Sequence, residues 1–173
     1  MARLPLSQPS AAEMEARKRE GTSPPNLQLA VAHAPEVARL QFELNRALFV
    51  GMTERQKRLV ILTAGALTNN AYCWGHHVPM AQKAGVSVEQ IRGLRAGDFS
   101  LFPPEEQLLL TYCAAVVNQN VTDALWEKFS AGRTPEELVK ITMLVGYYCM
   151  ISRVQPALDV PQDEGFGGFE VPL

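Results

Sequence analysis

The chain has 173 residues, of which 47% are hydrophobic and 20% are charged, as in an ordinary globular domain. Its formal net charge of −2 excludes the broad basic surface that nucleic-acid binding requires. No apolar run approaches the ~20 residues needed to cross a bilayer, and the N-terminus lacks the apolar core of a signal peptide. We therefore expect a cytoplasmic protein with neither nucleic acid nor membrane as a partner.

The cysteine pattern agrees with this expectation. Cys73, Cys113 and Cys149 form an odd, widely spaced set, which is unlike the disulfide framework of a small secreted protein. No second cysteine lies within three residues of Cys73, so the sequence contains no Cys-x-x-Cys redox pair.

Helix signals dominate the chain, and they begin with a polar segment. Ser10 and Glu13 resemble a capping box, and Gly21 is placed to end a short helix. Prolines then break the chain. Residues 1–25 are therefore predicted to be an N-terminal polar helical arm and linker.

The next predicted helices begin the main domain. A helical stretch from about Asn26 is interrupted at Pro35, which is expected to be the first residue of the following helix. That helix has an apolar face made by Val37, Leu40, Leu44 and Leu48.

Two further helices follow in close succession. Thr53 and Gln56 are predicted to cap a helix that runs towards Asn69. If Asn70 is the N-cap of the next helix, Cys73 is its third residue, and that helix ends near Gly85.

The remaining segments complete an all-α fold of about eight helices. The predicted start signals are Ser87 with Gln90, Pro103 to Glu106, Thr122, and Thr134 to Glu137. The last helix is expected to reach about Arg153 and to stop before Pro156. Residues 26–160 form the predicted helical domain, and residues 161–173 are predicted to be an irregular C-terminal tail.

Cys73 and His77 form the strongest chemical motif. Residues four apart share one face of a helix, so this thiol and imidazole can meet. An imidazolium and a helix N-terminus both favour the thiolate, which is the nucleophilic form of cysteine. The alternative is that Cys73 is a small buried apolar residue and His77 a hydrogen-bonded core histidine.

A metal site is not expected. Cys73, His76 and His77 carry ligand atoms, but adjacent histidines on one helix point about 100° apart. No second ligand pair is visible, so the predicted site has neither a metal nor another cofactor.

The block from Tyr72 to Ala81, followed by Ala84-Gly85-Val86, resembles the carboxymuconolactone decarboxylase family, which includes proteins of the alkyl hydroperoxidase D type. The family pattern is met at Tyr72, Trp74, His77 and Ala81. The resemblance covers roughly residues 27–158. It implies an alkyl hydroperoxidase D-like helical bundle that assembles as a homo-oligomer, a trimer or a hexamer.

The sequence also departs from the family pattern. Cys73 and His77 match the peroxide-reacting cysteine and the histidine of the alkyl hydroperoxidase D type. Asn70 replaces the first cysteine of that type, and Arg58 stands where the supporting glutamate is expected. If Arg58 turns inward, its charge favours the thiolate or binds an anionic substrate. The expected orientation is outward, with Lys57, as for most arginines on a helix surface.

The predicted site follows from the motif and the resemblance together. Cys73 and His77 are the predicted catalytic residues, and the supporting or substrate-binding residues are Arg58, Asn70, Tyr72, Trp74 and His76.

Three functions remain open at this point. The favoured one is thiol-dependent peroxide reduction, with Cys73 as the nucleophile, His77 as the proton donor or acceptor, and Cys113, Cys149 or an external thiol as the reductant. The second is cofactor-free decarboxylation or isomerisation of a small carboxylated or lactone substrate, with His77 as general acid or base and Arg58 on the carboxylate. The third is a non-catalytic oligomeric protein.

Overall fold

A computed structural model describes residues 3–8 and 24–164 of the chain, and all regular secondary structure within these residues is helical. The eight helices are α1 (Asn26–Val31), α2 (Pro35–Phe49), α3 (Glu54–Leu67), α4 (Ala71–Lys83), α5 (Val88–Ala96), α6 (Pro104–Val117), α7 (Asp123–Ser130) and α8 (Pro135–Ala157). The all-α prediction is confirmed. The predicted N-terminal helix and the end of the predicted tail lie outside the described residues.

Helix starts were the most predictable feature of the fold. Capping boxes begin α3, α5 and α8, in each case with the predicted pair of residues. Proline occupies one of the first two positions of α2, α6 and α8. Among the described residues, no helix has the length and apolar character that crossing a bilayer requires.

Helix α3 lies at the centre of the domain and packs against α4, α5, α6 and α8. One core cluster joins α3, α6 and α8, and within it the rings of Tyr112 and Phe129 stack with centroids 3.8 Å apart. A second cluster fills the space between α3, α4 and α5 around Trp74. Residues 59–65 of α3 are all buried, so this part of the helix forms a rigid support for the N-terminus of α4.

The predicted end of the last helix was wrong. Helix α8 continues through Pro156 to Ala157. Proline has no N–H to donate to the carbonyl four residues earlier, which belongs to Ser152. The side-chain Nδ2 of Asn70 donates to that oxygen instead, at 3.3 Å. The helix can therefore contain a proline because a tertiary contact satisfies the carbonyl.

Helix α2 does not turn its apolar face towards the core, as an amphipathic helix is expected to do. Of its apolar stripe only Leu48 is buried, whereas Val37, Leu40 and Leu44 are 57, 50 and 37% exposed. The inward surface carries amides instead: Gln41 donates to the hydroxyl of Tyr147 at 3.2 Å. The tyrosine hydroxyls that α8 presents to α2 explain this orientation, because a hydroxyl in the interior needs a hydrogen-bond partner.

Candidate functional site

The α3–α4 junction sets the position of the predicted nucleophile. Asn69 ends α3 with a φ of 51°, a left-handed conformation that asparagine tolerates. Asn70 is the N-cap of α4: its Oδ1 accepts the N–H of Cys73 at 2.6 Å, while its Nδ2 also reaches Gln155 Oε1 at 3.3 Å. The predicted cap is therefore confirmed, with Cys73 as the third helical residue.

Cys73 is enclosed in the protein core. Its side chain is 2% exposed and belongs to the apolar cluster between α3, α6 and α8. It also packs closely on Gly65 of α3, where an added Cβ would lie 3.5 Å from Sγ. Burial raises the pKa of the Cys73 thiol to about 12, with a smaller contribution from Cys149. The expected lowering of the thiol pKa was wrong, because burial outweighs the effect of the helix N-terminus.

His77 is held as a neutral imidazole. Its Nδ1 lies 3.0 Å from Arg58 Nη1, and because a guanidinium can only donate, Nδ1 must be the acceptor. Burial, together with smaller contributions from the charges of Arg58 and His76, lowers the pKa of His77 to about 3. The proton of the neutral ring is therefore on Nε2. No hydrogen bond joins Cys73 to His77 among the described residues, so the two do not form an ion pair.

Arg58 turns inward, contrary to the expected outward orientation. Its side chain is only 14% exposed. Nη1 donates to His77 and Nη2 donates to Glu54 Oε2 at 2.9 Å. A further donor, Nε, is buried and has no hydrogen-bond partner. A charged donor without an acceptor in the interior is unfavourable, so an acceptor at this N–H would stabilise the site.

Tyr148 of α8 completes the surroundings of His77, and no motif in the sequence pointed to it. Its ring meets the imidazole edge to face, with centroids 5.4 Å apart. Burial raises the pKa of Tyr148 above its usual value, so the phenol stays protonated, and Asn45 of α2 hydrogen-bonds its side chain. Arg58, His77, Tyr148 and Asn45 thus form a polar cluster contributed by four helices.

The other predicted site residues of α4 point elsewhere. The Tyr72 hydroxyl donates to Asp163 Oδ2 at 2.7 Å, and His76 Nε2 hydrogen-bonds the same carboxylate oxygen. Trp74 is 1% exposed in the second core cluster. Burial alone would raise the pKa of Asp163, but these hydrogen bonds and one from the Asn26 N–H lower it overall. Tyr72, Trp74 and His76 therefore anchor α4 within the fold.

A surface groove of about 920 Å³ lies apart from this cluster, and neither Cys73, His77 nor Arg58 lines it. It runs between the starts of α3, α6 and α8, where Thr53 and Thr134 already cap two of the helices. No group of three or more potential metal ligands occurs among the described residues.

Residues 35–109 match the model of the carboxymuconolactone decarboxylase family. These residues contain α2, α3, α4 and α5, and so hold Arg58, Cys73 and His77. Over this region the chain is similar to the carboxymuconolactone decarboxylase family.

Solved structures of alkyl hydroperoxidase D-like proteins share the fold. A peroxidase-related protein from Ralstonia eutropha JMP134 superposes with a TM-score of 0.81 at 20% identity, over 99% of this chain and 98% of that one. A peroxidase-related protein from Silicibacter sp. TM1040 also gives 0.81, at 16% identity over 96 and 94%. The debrominase Bmp8 gives 0.76 at 16% identity over 93 and 92%. No curated protein sequence matches the chain. At these identities the likeness shows the fold: the chain has the alkyl hydroperoxidase D-like architecture.

Proposed function

We propose that this domain catalyses a cofactor-free decarboxylation or isomerisation of a small carboxylated or lactone substrate. Arg58 binds the carboxylate, and His77 transfers the proton. The observation that carries the proposal is the inward orientation of Arg58, which bonds His77 and keeps one buried N–H without an acceptor. This function takes precedence over thiol chemistry because the Cys73 thiol is strongly disfavoured as a thiolate.

The carboxylate has a specific place to bind. Arginine donates from a rigid planar fork and binds carboxylates through two donors at once. In Arg58 the Nε–H has no partner, while Nη1 contacts His77 and Nη2 contacts Glu54. A carboxylate at Nε therefore binds the same planar group that holds the imidazole, and this group keeps substrate and His77 in a fixed relation.

Substrate charge also activates His77. The pKa of His77 is low partly because the Arg58 cation lies beside it. An anion bound to Arg58 offsets that charge and raises the pKa of the imidazole towards the range in which it works as an acid or base. The ring of Tyr148 contacts His77 and forms an apolar side of the site. Its protonated hydroxyl adds one polar group.

The test is turnover of a panel of small carboxylated lactones and unsaturated acids, followed by NMR for carbon dioxide loss or double-bond migration. His77→Ala is expected to lower kcat at least about 100-fold, as expected for loss of an acid–base group. His33→Ala is the matched control, because His33 is exposed on the surface. Cys73→Ser is expected to stay active; loss of activity in this variant with retention in His77→Ala would contradict the proposal.

Thiol-dependent peroxide reduction is the second function, and the position of Cys73 favours it. Cys73 is the third residue of α4, and its backbone N–H donates to Asn70 Oδ1. In this reaction the thiolate attacks the peroxide O–O bond, giving a sulfenic acid and an alcohol. A second thiol, from Cys113, Cys149 or an external reductant, then forms a disulfide and releases water. Sulfenic-acid trapping after peroxide treatment, with Cys73→Ser as control, separates this function from the first.

Assembly and location are part of the same proposal. We propose a cytoplasmic homo-oligomer, a trimer or a hexamer, with a small molecule as its other partner. The three free cysteines support a reducing location. If neither reaction is found, the third function, a non-catalytic oligomeric protein with a buried cysteine and histidine, takes their place.

A further inference from the structure

The apolar face of α2 is not covered by any other part of residues 3–8 and 24–164. We call the residues Val37, Leu40, Leu44 and Ala47 the α2 face; all four are exposed. They recur at three- and four-residue spacing and so form one stripe along the helix. Most surface helices bury such a stripe, whereas α2 packs on α8 through its amides. A stripe of this kind on an otherwise well-formed helix is typical of a contact with another chain.

A neighbouring stripe on α8 extends the surface. Val139, Met143 and Met150 are all exposed on one side of α8. Met143 and Met150 lie about one turn before and one turn after Tyr147, the residue that contacts α2. Between them Gly146 faces open space, where an alanine would favour the helix without touching anything in this chain. A glycine at this position suits the close approach of another backbone.

We propose that the α2 face is the contact between two copies of this chain, with the two α2 helices packed antiparallel about a two-fold axis near residue 42. In that register Leu40 lies opposite Leu44 of the other copy, and Val37 lies opposite Ala47. The stripe is therefore complementary to itself, as a two-fold contact requires. This inference deepens the proposed assembly and is independent of the proposed reaction.

The charges beside the stripe select a second copy as the occupant. Glu36, Arg39, Glu43 and Arg46 follow one another along α2 with alternating sign. Reversing the helix direction reverses this order, so an antiparallel copy places Glu36 near Arg46 and Arg39 near Glu43. Within one chain Arg39 already bonds both glutamates on the surface. The edge of the contact thus has no net charge, and two pairs of opposite charge meet across it.

The same contact constrains the side of the proposed site that α2 forms. The inward surface of α2 holds Tyr147 through Gln41 and Tyr148 through Asn45. Pairing two α2 helices therefore stabilises the helix that supports the partner of His77. Assembly and site geometry are coupled through α2, although each copy supplies its own His77.

The first test is the mass of the full-length protein by sedimentation velocity over a range of concentrations. Of the two assemblies proposed above, a trimer alone contains no two-fold axis, so the wild type is expected to be a hexamer; a dimer would also support the contact. Leu40→Glu is expected to at least halve the mass of the main species. Phe42→Glu is the matched control, because Phe42 is equally exposed on α2 but on another side. A monomeric or trimeric wild type, or an unchanged mass in Leu40→Glu, overturns the inference.

The second test does not rely on disrupting the apolar stripe. One variant carries Arg39→Glu and the other carries Glu43→Arg, so that each has two like charges at these positions. Each alone is expected to be mostly dissociated, and an equimolar mixture is expected to recover the wild-type mass. Neither chain regains its internal Arg39–Glu43 pair in the mixture, so recovery reports a contact between chains. Failure to recover overturns the antiparallel register, whereas loss of turnover with intact assembly would count only against the proposed reaction.

Discussion

Arg58 Nη1 lies 3.0 Å from Nδ1 of His77, so a permanent cation is the hydrogen-bond donor to the imidazole. The contact fixes the tautomer of His77 and disfavours its protonated form. The sequence suggested a contact between His77 and Cys73. Instead, His77 bonds Arg58, and the backbone N–H of Cys73 bonds Asn70. The first prediction follows from removing this cation.

Arg58→Gln is expected to raise the pKa of His77 while leaving it below the ordinary value of a histidine. The cation contributes to the low pKa, and burial, the larger cause, remains. The measurement is an NMR titration of the His77 ring protons. The signals of His33, which lies far along the chain on the surface, serve as the internal control. An unchanged His77 titration would show that the guanidinium does not face the ring in solution.

Stability is expected to fall in acid because of His77. The folded pKa of about 3 lies below the unfolded value near 6.5. The unfolded chain therefore binds more protons between these values, and the free energy of unfolding decreases as the pH falls from about 6.5 towards 3. Asp163 has a lowered pKa and loses its contribution in the same direction at lower pH. Denaturant titrations between pH 7 and pH 4 measure the slope.

Two variants test whether His77 causes this decrease in the free energy of unfolding. His77→Gln removes the titrating ring, so the decrease between pH 6.5 and pH 4.5 is expected to be smaller than in the wild type. Asp163→Asn is expected to leave this range nearly unchanged, because its carboxylate titrates at lower pH. If both variants keep the full slope of the wild type, His77 is not held neutral by the fold.

The three thiols are expected to react at different rates in the native protein. Cys73 and Cys113 are buried with raised pKa values, whereas Cys149 is half-buried and Arg153 partly offsets the increase. Alkylation at pH 8 followed by mass spectrometry should therefore modify Cys149 first. In denaturant all three should react at similar rates. Rapid native modification of Cys73 would instead favour the thiol-dependent function.

The sequence predicted the local features of the site and missed the tertiary ones. The N-cap at Asn70 depends on residues adjacent in the chain, so the sequence identified it correctly. The pKa of Cys73 depends on how deeply α3, α6 and α8 enclose it, which the spacing of Cys73 and His77 does not encode. Arg58 was expected outward because an isolated helix favours solvation of arginine; its contact with His77 arises only when α3 and α4 pack together.

The orientation of α2 is another tertiary feature that the sequence did not predict. Its stripe of Val37, Leu40 and Leu44 correctly predicts a helix, because the period is a local property. The stripe does not say which surface covers it, whether the core of the same chain or a second copy. That choice depends on Tyr147 and Tyr148, which lie about 100 residues later and attract the amides of α2.

Asn70 is expected to be the most sensitive polar residue at the start of α4. Asn70→Ala removes the cap on the Cys73 N–H and the donor to the Ser152 carbonyl, which Pro156 cannot serve. The expected loss of unfolding free energy is about 2–4 kcal/mol, the sum of a lost cap and an unsatisfied buried carbonyl. Urea denaturation measures this loss.

Two substitutions separate the roles of this side chain. Asn70→Asp keeps the cap oxygen but loses the Nδ2 donor, so its stability is expected to lie between that of the wild type and that of Asn70→Ala. Thr122→Ala is the matched control: Thr122 caps α7 on the surface and has no contact like that with Ser152. It should cost only about 1 kcal/mol. Equal losses in Asn70→Ala and Thr122→Ala would mean that the bond to Ser152 does not stabilise the fold, and that α8 contains Pro156 for another reason.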